Sequence, residues 1–155
     1  MSTNEVQKQP HQREEAQANR FLTFSIGNES YGVGIEYVSE IIGMQPIFEV
    51  PGLPESIRGV INLRSKIIPI MDVQQELKKS LCAYHDRTCI IILTVQDLLV
   101  GLIIDSVSDV VSIPVEQIVD PPQFIHGDMD YIKGIGRIGN DLKLILDCHK
   151  MLKCS

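Results

Sequence analysis

A spacing of about seventy residues separates two similar halves of this chain, and this internal repeat limits its possible folds more than any other feature. When the chain is shifted by 69 positions, a run of residues that starts with Gly32 on Gly101 and continues to Ile41 meets identical or similar partners. A shift of 75 positions brings Ile57 onto Ile132 and continues the match downstream. The difference between the two shifts is the length of one loop. The sequence therefore predicts two similar units of about 65 residues each.

Both units begin with a pattern that is typical of a β-hairpin. In the first unit, apolar and polar residues alternate through residues 20–26. The turn residues GNES follow, and a second strand is expected at residues 31–35. In the second unit, residues 88–95 are rich in β-branched side chains, and after a two-residue turn residues 98–104 return as the partner strand. About five short strands and a short helix recur in each unit. We therefore expect an all-β fold of two tandem five-stranded β-barrels with short helices.

The expected domain organisation follows from the same pattern. Residues 1–19 have almost no apolar side chains, which predicts a flexible N-terminal tail. The first barrel is expected at residues 20–83, approximately, and the second at 84–155 with a short C-terminal helix; strands may be exchanged between them. Asp72 is a candidate N-cap for a helix over residues 73–79. Because each barrel is too small to bury much surface alone, the two should share a hydrophobic interface and form one domain.

The stretch of residues 51–72 predicts a second hairpin in the first unit, with a cationic tip. Two apolar arms flank a short polar turn that contains Arg64, Ser65 and Lys66. Pro69 lies in the second arm and has no N–H to donate, so we expect this arm at a sheet edge or in an irregular position.

Composition excludes several classes of function. The 155 residues carry a net charge of −6, with no basic patch, which argues against binding to the phosphates of nucleic acids. No apolar run approaches the roughly 20 residues that span a bilayer, and the amino end lacks the apolar core of a signal peptide. The sequence predicts a soluble cytoplasmic protein.

The residues that usually carry chemistry do not form a recognisable site. The cysteines are Cys82, Cys89, Cys148 and Cys154, and the histidines are His11, His85, His126 and His149. Their spacing lacks the paired C-x-x-C elements of structural zinc sites, and cytosolic thiols normally stay reduced. The glycines of residues 134–139 imitate a dinucleotide-binding loop, but no long helix follows them. We expect no metal, no cofactor, no disulfide and no enzymatic activity.

A resemblance to a known family covers roughly residues 20 to 152. The central hairpin contains GVINLR, two further residues and IIP, followed by an apolar pair and Asp, a pattern that resembles the signature of the CheW family of bacterial chemotaxis coupling proteins. Similar stretches are FLTFSIGNESYGVGIEYVSEII, DSVSDVVSI and YIKGIGRIGNDLKLILD. The family usually has Gly after the hairpin arginine, where this chain has Ser65. The resemblance implies paired barrels like those of SH3 domains.

The resemblance also implies a function. Members of the family are adaptors that join the cytoplasmic tips of methyl-accepting chemoreceptors to the CheW-like regulatory domain of the histidine kinase CheA, at membrane-associated receptor arrays. Receptor contact falls in the groove between the barrels, and the matching positions here are Ile35, Val38, Glu40, Gly59 and Arg64. The internal repeat adds one position, which is Ile104, the counterpart of Ile35.

Each of these positions also has a structural interpretation. Ile35 and Val38 are of the type that builds a core, and Glu40 is of the type that is simply solvated. Arg64 could form an ion pair with Asp72 or Glu40 that holds the hairpin. The sequence does not identify the kinase-binding residues, although apolar residues at the barrel ends are candidates.

Other functions are compatible with the sequence. A β-barrel that binds a small ligand is one, and the coupling module of a CheV-like signalling protein is another. If the chain is a coupling protein, its two similar barrels should form two different contacts with the kinase domain, and repeated head-to-tail contacts of this kind can close into rings.

Overall fold

The computed structural model describes residues 20–54, 57–72, 85–121 and 132–153, with side chains described up to residue 151. Almost all regular structure in these residues is β-strand. The strands are β1 (Arg20–Ile26), β2 (Glu29–Gly34), β3 (Val38–Gly43), β4 (Ile57–Leu63), β5 (Lys66–Asp72), β6 (Cys89–Val95), β7 (Leu98–Ile104), β8 (Ser106–Ser112), β9 (Ile118–Val119), β10 (Ile132–Ile138) and β11 (Asp141–Leu146). The 3₁₀ turns Ile35–Tyr37 and Val115–Gln117 and the helix α1 (Cys148–Lys153) complete this part of the chain. The fold is mostly β, as the sequence predicts.

The strands form two sheets that do not coincide with the two sequence repeats. Sheet A has the order β8-β1-β2-β11-β10-β9, and sheet B has the order β3-β6-β7-β5-β4. The N-terminal hairpin β1–β2 thus lies among strands of the second half, and the hairpin β6–β7 lies among strands of the first half. The expected barrel limits, residues 20–83 and 84–155, stay a prediction, and a hairpin crosses that limit in each direction.

The repeat found in the sequence reappears as equivalent contacts in the two sheets. In sheet A, β2 pairs in parallel with β11, which places Ile145 opposite Gly32. In sheet B, β7 pairs in parallel with β5, which places Ile70 opposite Gly101. A Cβ atom on Gly32 would lie 3.1 Å from Cδ1 of Ile145, and one on Gly101 would lie 2.5 Å from Cδ1 of Ile70. A side chain would be crowded at both places, more severely at Gly101, because the end of an isoleucine side chain from the neighbouring strand lies there.

Each sheet is extended by a short segment that follows its edge strand. After β3, Phe48 forms an isolated antiparallel bridge with Val60 of β4. After β8, Val119 of β9 pairs with Ile135 of β10. A shift of 71 positions relates Phe48 to Val119, so β9 is the counterpart of that bridge. Sheet A therefore counts six strands where five were expected, although the two sheets follow the same plan.

The core has three parts that explain why the two sheets form one body. Ile61, Ile68, Ile70, Ile90, Ile92 and Ile103 form a cluster within sheet B. Phe21, Ile113 and Ile145 form a smaller cluster within sheet A. The largest cluster joins both sheets, with Phe24 and Tyr31 from sheet A, Leu93 and Leu102 from sheet B, and Met151 from α1. This shared core is the predicted hydrophobic interface, and burial of its apolar surface drives the sheets together.

Two expectations about individual segments need comment. Pro69 lies inside β5, which is an interior strand between β7 and β4, so the prediction of an edge or irregular position is wrong. The parallel ladder with β7 begins only at Ile70, so Pro69 precedes it and that ladder loses no donor. The expected tail of residues 1–19 and the expected helix of residues 73–79 lie outside the described residues.

Candidate functional site

The cationic tip of the β4–β5 hairpin forms an ion pair with strand β3. The guanidinium of Arg64 donates a hydrogen bond from Nη2 to Oε2 of Glu40. The side chain of Arg64 remains 70% exposed and that of Glu40 is 34% exposed. Asp72, the other acidic partner considered from the sequence, is buried. The two charges that the resemblance selects are thus neighbours on one surface.

The backbone at this tip is held in an unusual conformation. Arg64 has φ of +48° and Ser65 has φ of +70°, so both occupy the left-handed region. Two such residues in a two-residue connection are typical of a type I′ turn, which matches the twist of the flanking strands and favours Asn-Gly or Gly. The strain expected from Ser65 in place of the usual Gly is therefore present in the backbone. The turn presents the Arg64 side chain towards β3.

Two aliphatic side chains lie beside this charged pair on the connection between the sheets. Ile35 belongs to the 3₁₀ turn that carries the chain from β2 to β3, and Val38 is the first residue of β3. Both side chains are half-buried and pack against the shared core. They can therefore support the core and still offer apolar surface to a partner.

Ile41 is an exposed aliphatic residue of β3 that sequence reasoning did not select. Ile41 lies on β3 directly after Glu40 and is 44% exposed. Its counterpart in the second half, Val110, is 41% exposed. The repeat aligned these two residues, but alternation in a strand does not say which face a neighbouring sheet covers.

Gly59 and Ile104 are placed differently from the other candidates. A Cβ atom on Gly59 would lie 2.5 Å from the carbonyl oxygen of Phe48, which is closer than any side chain allows. Gly59 therefore permits the close approach of the segment around Phe48. Ile104 has 0% exposure and belongs to the shared core. Neither residue offers a side chain for contact, and we leave Ile104 out of the proposed surface.

Two groups near α1, the Cys148 thiol and the Tyr37 hydroxyl, have raised pKa values. Burial, with the nearby carboxylate of Asp147, raises the pKa of the Cys148 thiol to about 12. Burial, together with the charge of Glu36, raises the pKa of the Tyr37 hydroxyl. Neither group is activated as a nucleophile or base by such shifts. Within the described ranges, no three His, Cys, Asp or Glu side chains are grouped as metal ligands.

Comparison with known proteins identifies the family. A family model described as CheW-like domain matches residues 20–154. The chain belongs to the CheW family. The chemotaxis protein CheW of Klebsiella aerogenes is 35% identical over 139 residues, which cover 89% of this chain and 84% of that protein. CheW of Bacillus subtilis is 31% identical over 134 residues, which cover 86% of each chain.

A solved structure supports the same assignment for the CheW-like fold. The crystal structure of the scaffolding protein TtCheW from Thermoanaerobacter tengcongensis matches with a TM-score of 0.77 and 31% identity, covering 83% of this chain and 88% of that one. The chain is therefore a chemotaxis scaffolding adaptor without catalytic function, as the resemblance implied. Among the helical residues that the structure describes, none belongs to a helix long and apolar enough to cross a bilayer.

Proposed function

We propose that this CheW-like chain couples the cytoplasmic tips of chemoreceptors to the regulatory domain of a CheA-type histidine kinase. The observation that carries the proposal is the surface formed by Ile35, Val38, Glu40 and Arg64, here called the groove surface. It combines half-buried aliphatic side chains with a solvent-accessible ion pair. This combination suits a helical partner that inserts an apolar stripe and is held in register by charges.

The charges of the groove surface are suited to exchange partners. Because Arg64 is 70% exposed, its pairing with Glu40 is weak and water can replace it. An acidic side chain on a receptor helix can therefore take Arg64, while a basic one takes Glu40. The type I′ turn fixes the position of Arg64, so less conformational entropy is lost when the partner binds.

The ends of the barrels supply candidate contacts for the kinase domain. Ile67 starts the apolar part of β5 and is 65% exposed, and Leu98 starts β7 and is 59% exposed. The counterpart of Ile67 in the second half is Leu142, which is 57% exposed. Two such ends, similar in plan and different in sequence, support two different contacts with a CheW-like kinase domain. Contacts of this head-to-tail kind close into rings when the rotation permits.

The proposal places the protein in the cytoplasm at membrane-associated receptor arrays. A fluorescent fusion should concentrate where the receptors cluster and should become diffuse in cells that lack them. A uniform distribution in receptor-containing cells would contradict this location.

The test of the receptor contact is the variant Arg64→Glu, measured by calorimetry against a soluble receptor-tip fragment. We expect at least a tenfold loss of affinity, because the substitution puts two carboxylates side by side on the groove surface. Arg137→Glu, on the exposed side of β10, is the matched control and should bind normally.

The melting temperature and the kinase affinity of both variants complete the test. Unchanged receptor affinity of Arg64→Glu, with an unchanged melting temperature, would exclude the groove surface as the receptor site. A collapsed fold would instead show that the ion pair serves the structure. Binding of the kinase regulatory domain should be retained, because the barrel ends are not altered.

A further inference from the structure

The two barrels carry equivalent exposed apolar residues where each sheet passes from its edge strand to its closing segment. We call residues 39–49 seam B and residues 108–120 seam A. Seam B exposes Ile41 and Phe48, the latter at 58%. Seam A exposes their counterparts Val110 and Val119, the latter at 54%. The repeat has therefore preserved an apolar surface outside the core at the same place in both barrels.

The two seams differ in the number of basic residues near their acidic residues. No Lys or Arg occurs from residue 88 to residue 132. Seam A carries Asp109, Glu116 and Asp120, and all three are exposed. Seam B contains Glu40 and Glu49, and Arg64 of the neighbouring hairpin pairs with Glu40. Seam A is thus acidic as well as apolar, whereas one of the two acids of seam B has a cationic partner.

The acidic groups of seam A differ in how they are held. The hydroxyl of Thr23 donates to Oδ1 and to the backbone oxygen of Asp109 and accepts a hydrogen bond from the N–H of Asp109. In the described part of the chain, no cation pairs with Glu116 or Asp120. Val115, which is 67% exposed, directly precedes Glu116 in the 3₁₀ turn Val115–Gln117, and Val119, which is 54% exposed, directly precedes Asp120. Exposed aliphatic side chains next to exposed carboxylates are the complement of an aliphatic stripe flanked by cations.

We propose that seam A docks a cationic amphipathic helix of a partner protein, with Lys or Arg on both sides of an aliphatic stripe. The acids attract the cations and fix the register, while Val110, Val115 and Val119 cover the stripe. A second copy of this chain fits less well, because each copy carries a net charge of −6 and the copies repel each other. The proposal is independent of the groove surface, because none of the groove-surface residues belongs to seam A.

The probe is a synthetic Leu/Lys peptide of roughly five helical turns with an i, i+3, i+4, i+7 leucine stripe. Fluorescence anisotropy at physiological salt measures its binding to the full chain. Two comparison peptides are a scrambled sequence of the same composition and a version with Glu in place of Lys. We expect the scrambled peptide to bind about tenfold more weakly, because it has no stripe, and the Glu peptide not to bind.

Variants of the protein locate the site. The double substitution Glu116→Lys and Asp120→Lys should lower the affinity at least tenfold, and Val115→Ser should lower it several-fold. Glu49→Lys is the matched charge control, since Glu49 is the counterpart of Asp120 in seam B. Val50→Ser, at an exposed position outside both seams, is the matched apolar control. Both controls should stay within twofold of the parent, and all variants should keep its melting temperature.

Several results would overturn the proposal. Absence of measurable binding excludes the site, and equal binding of the scrambled peptide shows attraction by net charge alone. An equal loss with Glu49→Lys places the binding elsewhere on the acidic surface. Sedimentation that reveals a dimer dissolved by Val115→Ser would assign seam A to a second copy of this chain instead. Receptor binding is measured in a separate experiment. A negative peptide result therefore does not bear on the groove surface, and a negative receptor result does not bear on seam A.

Discussion

Glu40 and Asp109 occupy equivalent positions in the two barrels, and the structure uses them in opposite ways. Glu40 on β3 reaches out to Arg64 and remains accessible to solvent. Asp109 on β8 is held by Thr23, whose hydroxyl lies 2.8 Å from Oδ1 and 2.9 Å from the backbone oxygen of Asp109 and accepts its N–H at 3.2 Å. The counterpart of Thr23 in the other barrel is Ile92, which cannot form these bonds.

This comparison shows how a duplicated unit can divide stability and binding between its copies. In sheet A the acid stabilises the bulge where β1 meets β8, and its charge has a partner inside the fold. In sheet B the same acid has no such partner and is available on the surface, where the hairpin arginine meets it. The position of Arg64 is taken by Gly139 in the second half, so only one barrel has the cationic tip.

The largest expected effect concerns the closing segments, where the barrels differ in how tightly a glycine is packed. Gly59→Ala should lower the free energy of unfolding by about 3 kcal/mol, because its Cβ would meet a backbone oxygen at 2.5 Å. Gly134→Ala should cost only about 1 kcal/mol, since its closest contact is a side-chain methyl of Ile118. Gly43→Ala is the control, because nothing lies within 4 Å of its Cβ position. Urea unfolding measures all three, and equal losses at positions 59 and 134 would contradict this difference.

The next largest effect tests whether Asp109 has a structural role that Glu40 lacks. Thr23→Val should destabilise the protein by about 2 kcal/mol. The substitution removes the buried hydroxyl of Thr23, which is the acceptor for the N–H of Asp109. Thr94→Val, in β6, is the control because it makes the same replacement of Thr by Val, and it should change the free energy of unfolding little. If Thr23→Val is as harmless as the control, Asp109 is not held structurally and the contrast with Glu40 fails.

A smaller effect is expected at the hairpin tips. Ser65→Gly should raise the free energy of unfolding by about 1 kcal/mol, because glycine accepts a positive φ without strain. Gly139→Ala, at the corresponding tip with φ of +59°, should lower it by a similar amount. Thermal unfolding measures both, and a destabilised Ser65→Gly would show that Ser65 makes a contact worth more than the strain.

The smallest effect is the energy of the surface ion pair. A double-mutant cycle with Arg64→Ala and Glu40→Ala should give a coupling below about 1 kcal/mol, which decreases with added salt. The same substitutions should still weaken receptor binding. A coupling well above this value would make the ion pair a structural element like the Thr23 network.

Local pattern was sufficient to predict the hairpins and the repeat. Alternation through residues 20–26 and the β-branched run of residues 88–95 correspond to β1 and β6. The counterpart glycines Gly32 and Gly101 mark the same crossing of a neighbouring strand. These features depend on residues that are close in sequence or that repeat, so one chain reveals them.

Pairing between distant segments was harder to predict. The interior position of Pro69 depends on β7, which comes about thirty residues later and is joined in parallel. Ile104 was expected on a groove wall because of its counterpart Ile35, yet it lies at 0% exposure. Ile35 and Ile104 differ in exposure because the chain passes between the sheets in two ways. After β2 it passes through a 3₁₀ turn that contains Ile35, and after β7 it passes through a single residue, Asp105. The repeat therefore predicts topology better than it predicts exposure. The receptor-binding roles of all the site residues stay predictions.

The exchange of hairpins has a consequence for how the chain acquires its structure. Hairpin β1–β2 is synthesised before its partner β11, which includes Lys143, whose ammonium binds Ser30 across 113 residues of sequence. Sheet A can close only after β11 has left the ribosome, and the long loop that must form slows the search for the native pairing. During that interval β2 has an unpaired edge that invites aggregation. Once closed, the two barrels hold each other's first hairpin, so we expect them to unfold in a single cooperative transition.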